Sequence, residues 1–124
     1  MDAPARPLIL IVEDDEAVRR GLAFTLDLAG YRVETYASGE AVLGRDLPQG
    51  PICLVLDERL PGVSGLETLR HVRARRPDAK GLLITSHPPP ALRRAAAAAG
   101  TPILEKPLRS EALVGSISAQ FADL

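Results

Sequence analysis

Four short stretches hold the residues whose types could do chemistry: Glu13-Asp14-Asp15-Glu16, Asp57, Thr85-Ser86 and Glu105-Lys106. Each follows directly on an apolar run. Carboxylates brought within a few ångströms repel one another, and their pKa values rise unless a cation neutralises them. An all-oxygen set suits Mg²⁺, which keeps several waters and commonly takes phosphate oxygens as well. A carboxylate can also attack phosphorus and form an aspartyl phosphate. A metal and a lysine would then neutralise charge on the transferring phosphoryl group. A hydroxyl such as that of Thr85 could hydrogen-bond one of its oxygens. Among the fifteen Lys and Arg residues only Lys80 and Lys106 are lysines, so the placement of each is informative.

These residues can act together only if the chain places them together. Leu8-Ile9-Leu10-Ile11-Val12 is a continuous apolar run, the mark of a strand buried on both faces. A helical stretch follows, with Val18, Leu22 and Leu26 four apart, closing near Gly30. Arg32 to Tyr36 alternates and predicts a strand nearer an edge. Ser38 is placed to cap a short helix carrying Ala41, Val42 and Leu43. Ile52 to Leu56 is a second fully apolar strand. Ser64 and Glu67 have capping-box spacing for a helix through Leu66, Leu69 and Val72. Gly81 to Ile84 predicts another buried strand. Pro88-Pro89-Pro90 and the alanines after it predict a helix start, with the helix ending at Gly100. Pro102 to Leu104 predicts a short strand. Ser110 is placed to cap a last helix with Leu113, Ile117 and Phe121 on one face.

Five strand–helix units in succession predict a mostly parallel sheet with helices on both faces. With five strands the expected architecture is the flavodoxin-like α/β sandwich, strand order 2-1-3-4-5. A half-Rossmann unit ranks below it, because no G-x-G-x-x-G follows the first strand. There is no G-x-x-x-x-G-K phosphate loop either. In a parallel sheet all strand C-termini share one edge, and the switch-point rule puts a site outside them, between strands one and three. The acids, the Thr85 hydroxyl and Lys106 all fall on that edge.

The bulk properties narrow the class. The chain has 124 residues, enough for one domain with a core that needs no disulfides. Apolar residues make up 46 %, which argues against disorder. Net charge is −1, so there is no basic footprint for nucleic acid and no polybasic membrane signal. The single cysteine, Cys53, excludes an internal disulfide and a Cys-rich zinc site. No apolar run approaches the ~20 residues of a membrane helix, and Leu8 to Val12 is too short for a signal-peptide core. A cytoplasmic, reducing location is expected.

Four motifs in order resemble the receiver domain of bacterial two-component response regulators. They are Ile11-Val12-Glu13-Asp14-Asp15-Glu16, Asp57-Glu58-Arg59-Leu60-Pro61-Gly62-Val63-Ser64-Gly65, Ile84-Thr85-Ser86 and Glu105-Lys106-Pro107. The resemblance implies Asp57 as phosphate acceptor and Glu13 with Asp14 as the acidic pair. It implies Mg²⁺ bound directly by Asp14 and Asp57, through water by Glu13, and by the backbone carbonyl of Arg59. Thr85 would be the switch hydroxyl. Lys106 would pair with Asp57 and then with the phosphoryl group, and the Lys106-Pro107 bond would be cis. The phosphodonor would be a sensor histidine kinase or a phosphotransfer protein. Such a domain is a switch rather than a conventional enzyme, assisting its own phosphorylation and slow autodephosphorylation. A homodimer through the fourth helix, fifth strand and fifth helix is expected, with no nucleic acid bound by this domain alone.

The expected layout is a tail over residues 1–7 and the receiver domain over 8–121, with no output domain within the 124 residues. Either a single-domain regulator or the receiver of a longer protein fits. The stretch Arg19 to Tyr36 most resembles receivers that precede helix-turn-helix output domains. Two other readings compete for function. One is a degenerate receiver that acts only as an interaction module. The other is a Mg²⁺ phosphatase, disfavoured because no Asp-x-Asp ends the first strand. Departures from the family pattern are Glu13 where Asp is commoner, Ile103 where many receivers carry an aromatic, and a short Gly100–Lys106 connection. Elsewhere the plainer readings lead. Asp15 and Glu16 favour a helix N-terminus. Cys53 is inert core, His71 is surface, and His87 is a loop residue. Arg70, Arg73, Arg75 and Arg76 complement a helix C-terminus.

Overall fold

The computed structural model describes residues 6–122. Residues 1–5 of the expected tail lie outside that range. The elements run β1 (Leu8–Val12), α1 (Glu16–Leu28), β2 (Arg32–Tyr36), α2 (Gly39–Leu43), β3 (Ile52–Asp57), α3 (Gly65–Arg75), β4 (Lys80–Thr85), α4 (Pro90–Ala98), β5 (Ile103–Glu105) and α5 (Ser110–Gln120). All pairings are parallel and the order is β2-β1-β3-β4-β5, as the alternation of elements predicted.

The strands separate the core into two layers because successive side chains point to opposite faces. Leu8, Leu10 and Val12 of β1 pack with Val42, Leu54, Leu56, Leu69 and Val72 on one face. Ile9 and Ile11 pack with Val55, Leu22, Leu26, Leu113 and Ile117 on the other. β1, β3 and β4 are therefore sealed on both sides, which is why they read as unbroken apolar runs. β2 is an edge strand and only half-buried. Among the described residues no helix is long and apolar enough to cross a membrane.

Four local expectations change. Val18 is 40 % exposed, so the buried stripe of α1 starts at Leu22. Ser110 is the first residue of α5 and makes no cap; Arg109 holds the cap position without a side-chain bond. The Ser64 hydroxyl accepts from the Glu67 amide at 3.3 Å, but Glu67 turns to Arg70 instead of closing the capping box. The Leu66 amide is taken by Glu58 Oε1 at 2.8 Å. Finally, Arg73 and Arg76 are braces rather than a solvated cluster. Arg73 donates to Ala79 O, Ala99 O and Thr101 Oγ1 at 2.9–3.1 Å. Arg76 donates to Pro48 O at 2.7 Å and Gly50 O at 2.6 Å. His71 is exposed, as expected.

Candidate functional site

Register sets the site. Val12 pairs with Leu56 and Asp57 with Ile84, while Thr85 pairs with Glu105. The strand ends thus present Glu13, Asp57, Thr85 and Lys106 along one edge. The Glu13 amide donates to Tyr36 O at 3.0 Å and the Lys106 amide to Thr85 O at 3.0 Å. Both residues therefore leave the sheet in a fixed direction.

The turn after β1 is held by side chains. Asp15 caps α1, its carboxylate accepting from the Val18 amide at 3.0 Å. The Asp15 amide donates to Glu13 Oε2 at 3.1 Å. Arg19 reaches back from the first turn of α1 and donates to Glu13 O at 2.8 Å. Glu13 is thereby held before any ligand arrives. Glu16 is a surface acid paired with Arg20. The turn after β3 is held by Glu58, whose backbone amide donates to Ile84 O and whose carbonyl accepts from Gly65 N. Gly65 sits so close that a Cβ there would stand 2.5 Å from Asp57 O, so any larger residue would push α3 off the acid-bearing strand.

One carboxylate oxygen from each of Glu13, Asp14 and Asp57 lies within 4.8 Å of the others. Glu13 and Asp57 are buried and Asp14 is exposed. Lys106 Nζ stands 3.2 Å from Asp57 Oδ2 and 3.8 Å from Glu13 Oε1. The Arg59 amide donates to Asp57 Oδ1 at 3.1 Å. Burial, the Asp14 carboxyl and the Asp57 charge together push Glu13 up to about 7, against the opposing pull of the Asp15 amide and Lys106. One ammonium is too little positive charge for three close carboxylates. A hard divalent cation suits what the donors lack, because all are oxygens and the exposed side leaves room for waters. Glu13, Asp14 and Asp57 are the side chains that would hold it.

Thr85 ends β4 and is 2 % exposed. Its hydroxyl has only a long 3.5 Å contact with Ser86 O, so it can turn to a better acceptor at little cost. Arg59 Nη2 reaches Ser86 O at 3.4 Å and joins the β3–α3 loop to the β4–α4 loop. His87 in that loop is exposed and has φ +45°, in the left-handed region that non-glycine residues rarely occupy. The Lys106-Pro107 peptide is cis. Cys53 is fully buried and its thiol is pushed up to about 12 by that burial, so it is inert.

Of the side chains singled out from the sequence, Glu13, Asp14, Asp57, Thr85 and Lys106 lie on this edge, whereas Lys80 opens β4 at the opposite one. Three supports were not singled out: Arg19, Glu58 and Glu40, whose carboxylate accepts from the Val63 amide at 3.2 Å. Arg19 could have been suspected from its place one turn into a helix that follows two acids. Glu40 stands 23 residues from its partner, and nothing local signals that bond. Beside Lys106 runs an apolar groove of about 390 Å³, lined by Val18, Gly21, Leu22, Pro107, Leu108 and Leu113.

Comparisons with known proteins agree with this geometry. Residues 9–118 match the family described as response regulator receiver domain. The transcriptional regulatory protein FixJ of Azorhizobium caulinodans is 36 % identical over 112 residues, covering 90 % of this chain and 53 % of that protein. The C4-dicarboxylate transport transcriptional regulatory protein DctD of Pseudomonas aeruginosa is 35 % identical over 114 residues, covering 91 % of this chain and 25 % of that one. The chain thus spans about half the length of the first relative and a quarter of the second. Among solved structures, the Vibrio cholerae chemotaxis protein CheY4 superposes with a TM-score of 0.84 at 28 % identity, over 93 % of this chain and 98 % of that one. The response regulator StyR superposes with a TM-score of 0.83 at 36 % identity, over 95 % of this chain and 60 % of that one. With one parallel sheet packed on both faces, strand ends that converge on three carboxylates and a lysine, and a match over nearly its whole length, the chain belongs to the family of response regulator receiver domains, the signalling switches of two-component systems.

Proposed function

We propose that Asp57 accepts a phosphoryl group from the phosphohistidine of a sensor kinase or phosphotransfer protein, and that the resulting aspartyl phosphate switches a partner or output domain. The observation that carries this is the placement of Asp57 between Lys106 at 3.2 Å and the Glu13–Asp14 pair. An Asp57 carboxylate oxygen forms the new P–O bond as the P–N bond to imidazole breaks, and the electron pair leaves on the ring nitrogen. Asp14, Asp57 and the Arg59 carbonyl, with Glu13 through water, would hold Mg²⁺, which would supply charge neutralisation on the phosphoryl oxygens. Lys106 adds a cation on the other side, and Thr85 offers its hydroxyl to a phosphoryl oxygen. The same groups would attend hydrolysis, in which water attacks phosphorus and Asp57 leaves.

The donor protein must bring its imidazole to Asp57. The apolar groove between α1 and the start of α5 shares Lys106 with the site, which makes it the natural seat for that donor. The signal would leave through residues 86–90 and α4. Ile103 stands where many receivers carry an aromatic, and a β-branched side chain packed against the core has little freedom to swing. An ion pair between Arg93 and Glu105 couples α4 to β5. With Arg94 and Arg109 it offers charge on α4, β5 and α5, the surface that a homodimer would use. FixJ and DctD are named as transcriptional regulators. By likeness, DNA binding in a protein of this kind would reside outside the receiver, and the receiver would work in the cytoplasm.

Incubation with acetyl phosphate and Mg²⁺ tests the central claim by intact-mass spectrometry. A single phosphoryl increment that needs Mg²⁺ and vanishes in Asp57→Asn is expected. Equal labelling of that variant would refute the assignment.

A further inference from the structure

At the opposite edge of the sheet, away from the acids, lies a cleft of about 520 Å³. It is formed where α3 ends, β4 begins and α5 ends, and its lining includes Arg73, Asp78, Lys80, Gly100 and Gln120. Its volume falls in the usual range for small-molecule sites.

The charges there are out of balance in a direction that favours an anion. Arg73 is half-buried, and its three hydrogen bonds, from Nε and Nη1, all go to neutral oxygens: Ala79 O, Ala99 O and Thr101 Oγ1. Among the described residues no carboxylate lies within ion-pair distance of Arg73 or of Lys80. Burial holds the Arg73 guanidinium below its ordinary pKa, with no acid beside it to offset the loss of water. The one carboxylate in the lining, Asp78, is engaged by Arg76 through two contacts of 3.2 Å. Among the described residues the lining therefore holds two cations, Arg73 and Lys80, and its one acid is already paired with Arg76. Gln120 Nε2 is the single buried side-chain nitrogen or oxygen without a partner among the described residues. A buried donor left unmade is costly, and such groups usually have a partner.

We propose that this cleft binds a phosphate group, held by the free Nη2 edge of Arg73, the Lys80 ammonium and the Gln120 amide. A phosphate carries about 1.5 to 2 negative charges near pH 7, which matches Arg73 and Lys80, the two lining cations that have no acid partner among the described residues. Its tetrahedral oxygens suit donors arriving from three different elements. Arg is suited to this role by its planar fork, and lysine as a point charge. The site is separate from Asp57, with the full length of the strands between them, and does not rest on the phosphoryl-transfer reading.

The test is a titration of ¹⁵N-labelled protein with sodium phosphate at pH 7, with chelator present and ionic strength held constant with sodium chloride. Saturating amide shifts are expected at residues 79–81, 100 and 119–120. Arg73 is left intact because it also braces the fold. Lys80→Met should weaken the apparent Kd roughly tenfold, the scale of one charged hydrogen bond. Gln120→Leu should weaken it by a smaller factor while removing the orphaned donor. Sulfate should compete, and acetate should bind more weakly. Shifts that grow linearly without saturating, or that sodium chloride reproduces, overturn the proposal. So does a Kd unchanged in both variants, and acetate binding as tightly as phosphate overturns the phosphate assignment.

Discussion

The two edges of one sheet handle charge in opposite ways. At the C-terminal edge, Glu13, Asp14 and Asp57 crowd like charges together with one lysine between them. At the N-terminal edge, Arg73 and Arg76 spread their hydrogen bonds over four backbone carbonyls in three connections. The first arrangement stores repulsion that a bound cation can relieve. The second satisfies carbonyls that would otherwise be buried unpaired. The acid edge is where charges conflict, and the Arg73 and Arg76 edge is where guanidinium groups meet neutral acceptors. A domain that must respond to a small ligand needs both, because repulsion at one end is tolerable only if the other end is firmly tied.

The comparison breaks most completely at Asp57. Asp57→Asn should reduce acetyl phosphate labelling to background while the fold survives. Its metal-free Tm should rise, since one like charge is gone. A lower Tm in chelator would mean that the acids do not repel as the geometry implies.

Next in size is Lys106→Met. It removes the cation 3.2 Å from Asp57 and should slow phosphorylation by about 10²-fold, the scale of one electrostatic contact to a transferring group. Single-turnover mass spectrometry would measure it. A rate within a factor of two of the parent would exclude Lys106 from the chemistry.

At the other edge, Arg73→Ala should leave labelling intact and cost stability. Buried acceptors at Ala79 and Thr101 lose their donor, which amounts to about 2–3 kcal/mol, or roughly 10 °C in Tm. A variant that melts with the parent would show that these bonds are replaced by water.

The acid edge also carries a pH signature. In metal-free protein Glu13 titrates near 7, whereas the unfolded chain releases that proton near the ordinary value of 4.5. Between those values the folded state binds more protons than the unfolded state. The Glu13 contribution to stability therefore falls as pH rises from about 4.5 to about 7 and then levels off. Mg²⁺ should offset that loss by binding the folded state. The Tm difference between Mg²⁺ and chelator should therefore widen from pH 5 to pH 8. A difference that is constant with pH would remove Glu13 from the metal site.

The smallest expected effect lies at the start of α3, in the turn that follows Asp57. Ser64→Ala removes the cap of α3 and should cost about 1 kcal/mol, read as a small drop in denaturation midpoint with labelling unchanged.

Much of this molecule was legible before it was folded. The apolar runs at 8–12, 52–56 and 81–84 are local, and a strand sealed on both faces leaves no other pattern. Placing chemistry-bearing residues after such runs was enough to bring Glu13, Asp14, Asp57, Thr85 and Lys106 to one edge. Errors came where a residue's neighbours along the chain mislead. Val18 has the helical spacing of a core residue, yet α1 turns it towards solvent at the groove beside Lys106. Ser110 is a good capping residue by type, yet α5 takes it in as its first turn.

The sequence by itself determined the order of elements, the two-faced core and the chemical type of the site, because hydrophobic period and strand-end position are properties of short segments. The tertiary structure alone decided which side chains tie segments together. Arg73 bonds to groups 26 and 28 residues away, and Arg76 to groups 28 and 26 away. A long flexible side chain has many carbonyls or carboxylates within its reach in principle. Which of them it meets depends on where helices come to rest against the sheet, and no short stretch of residues encodes that distance.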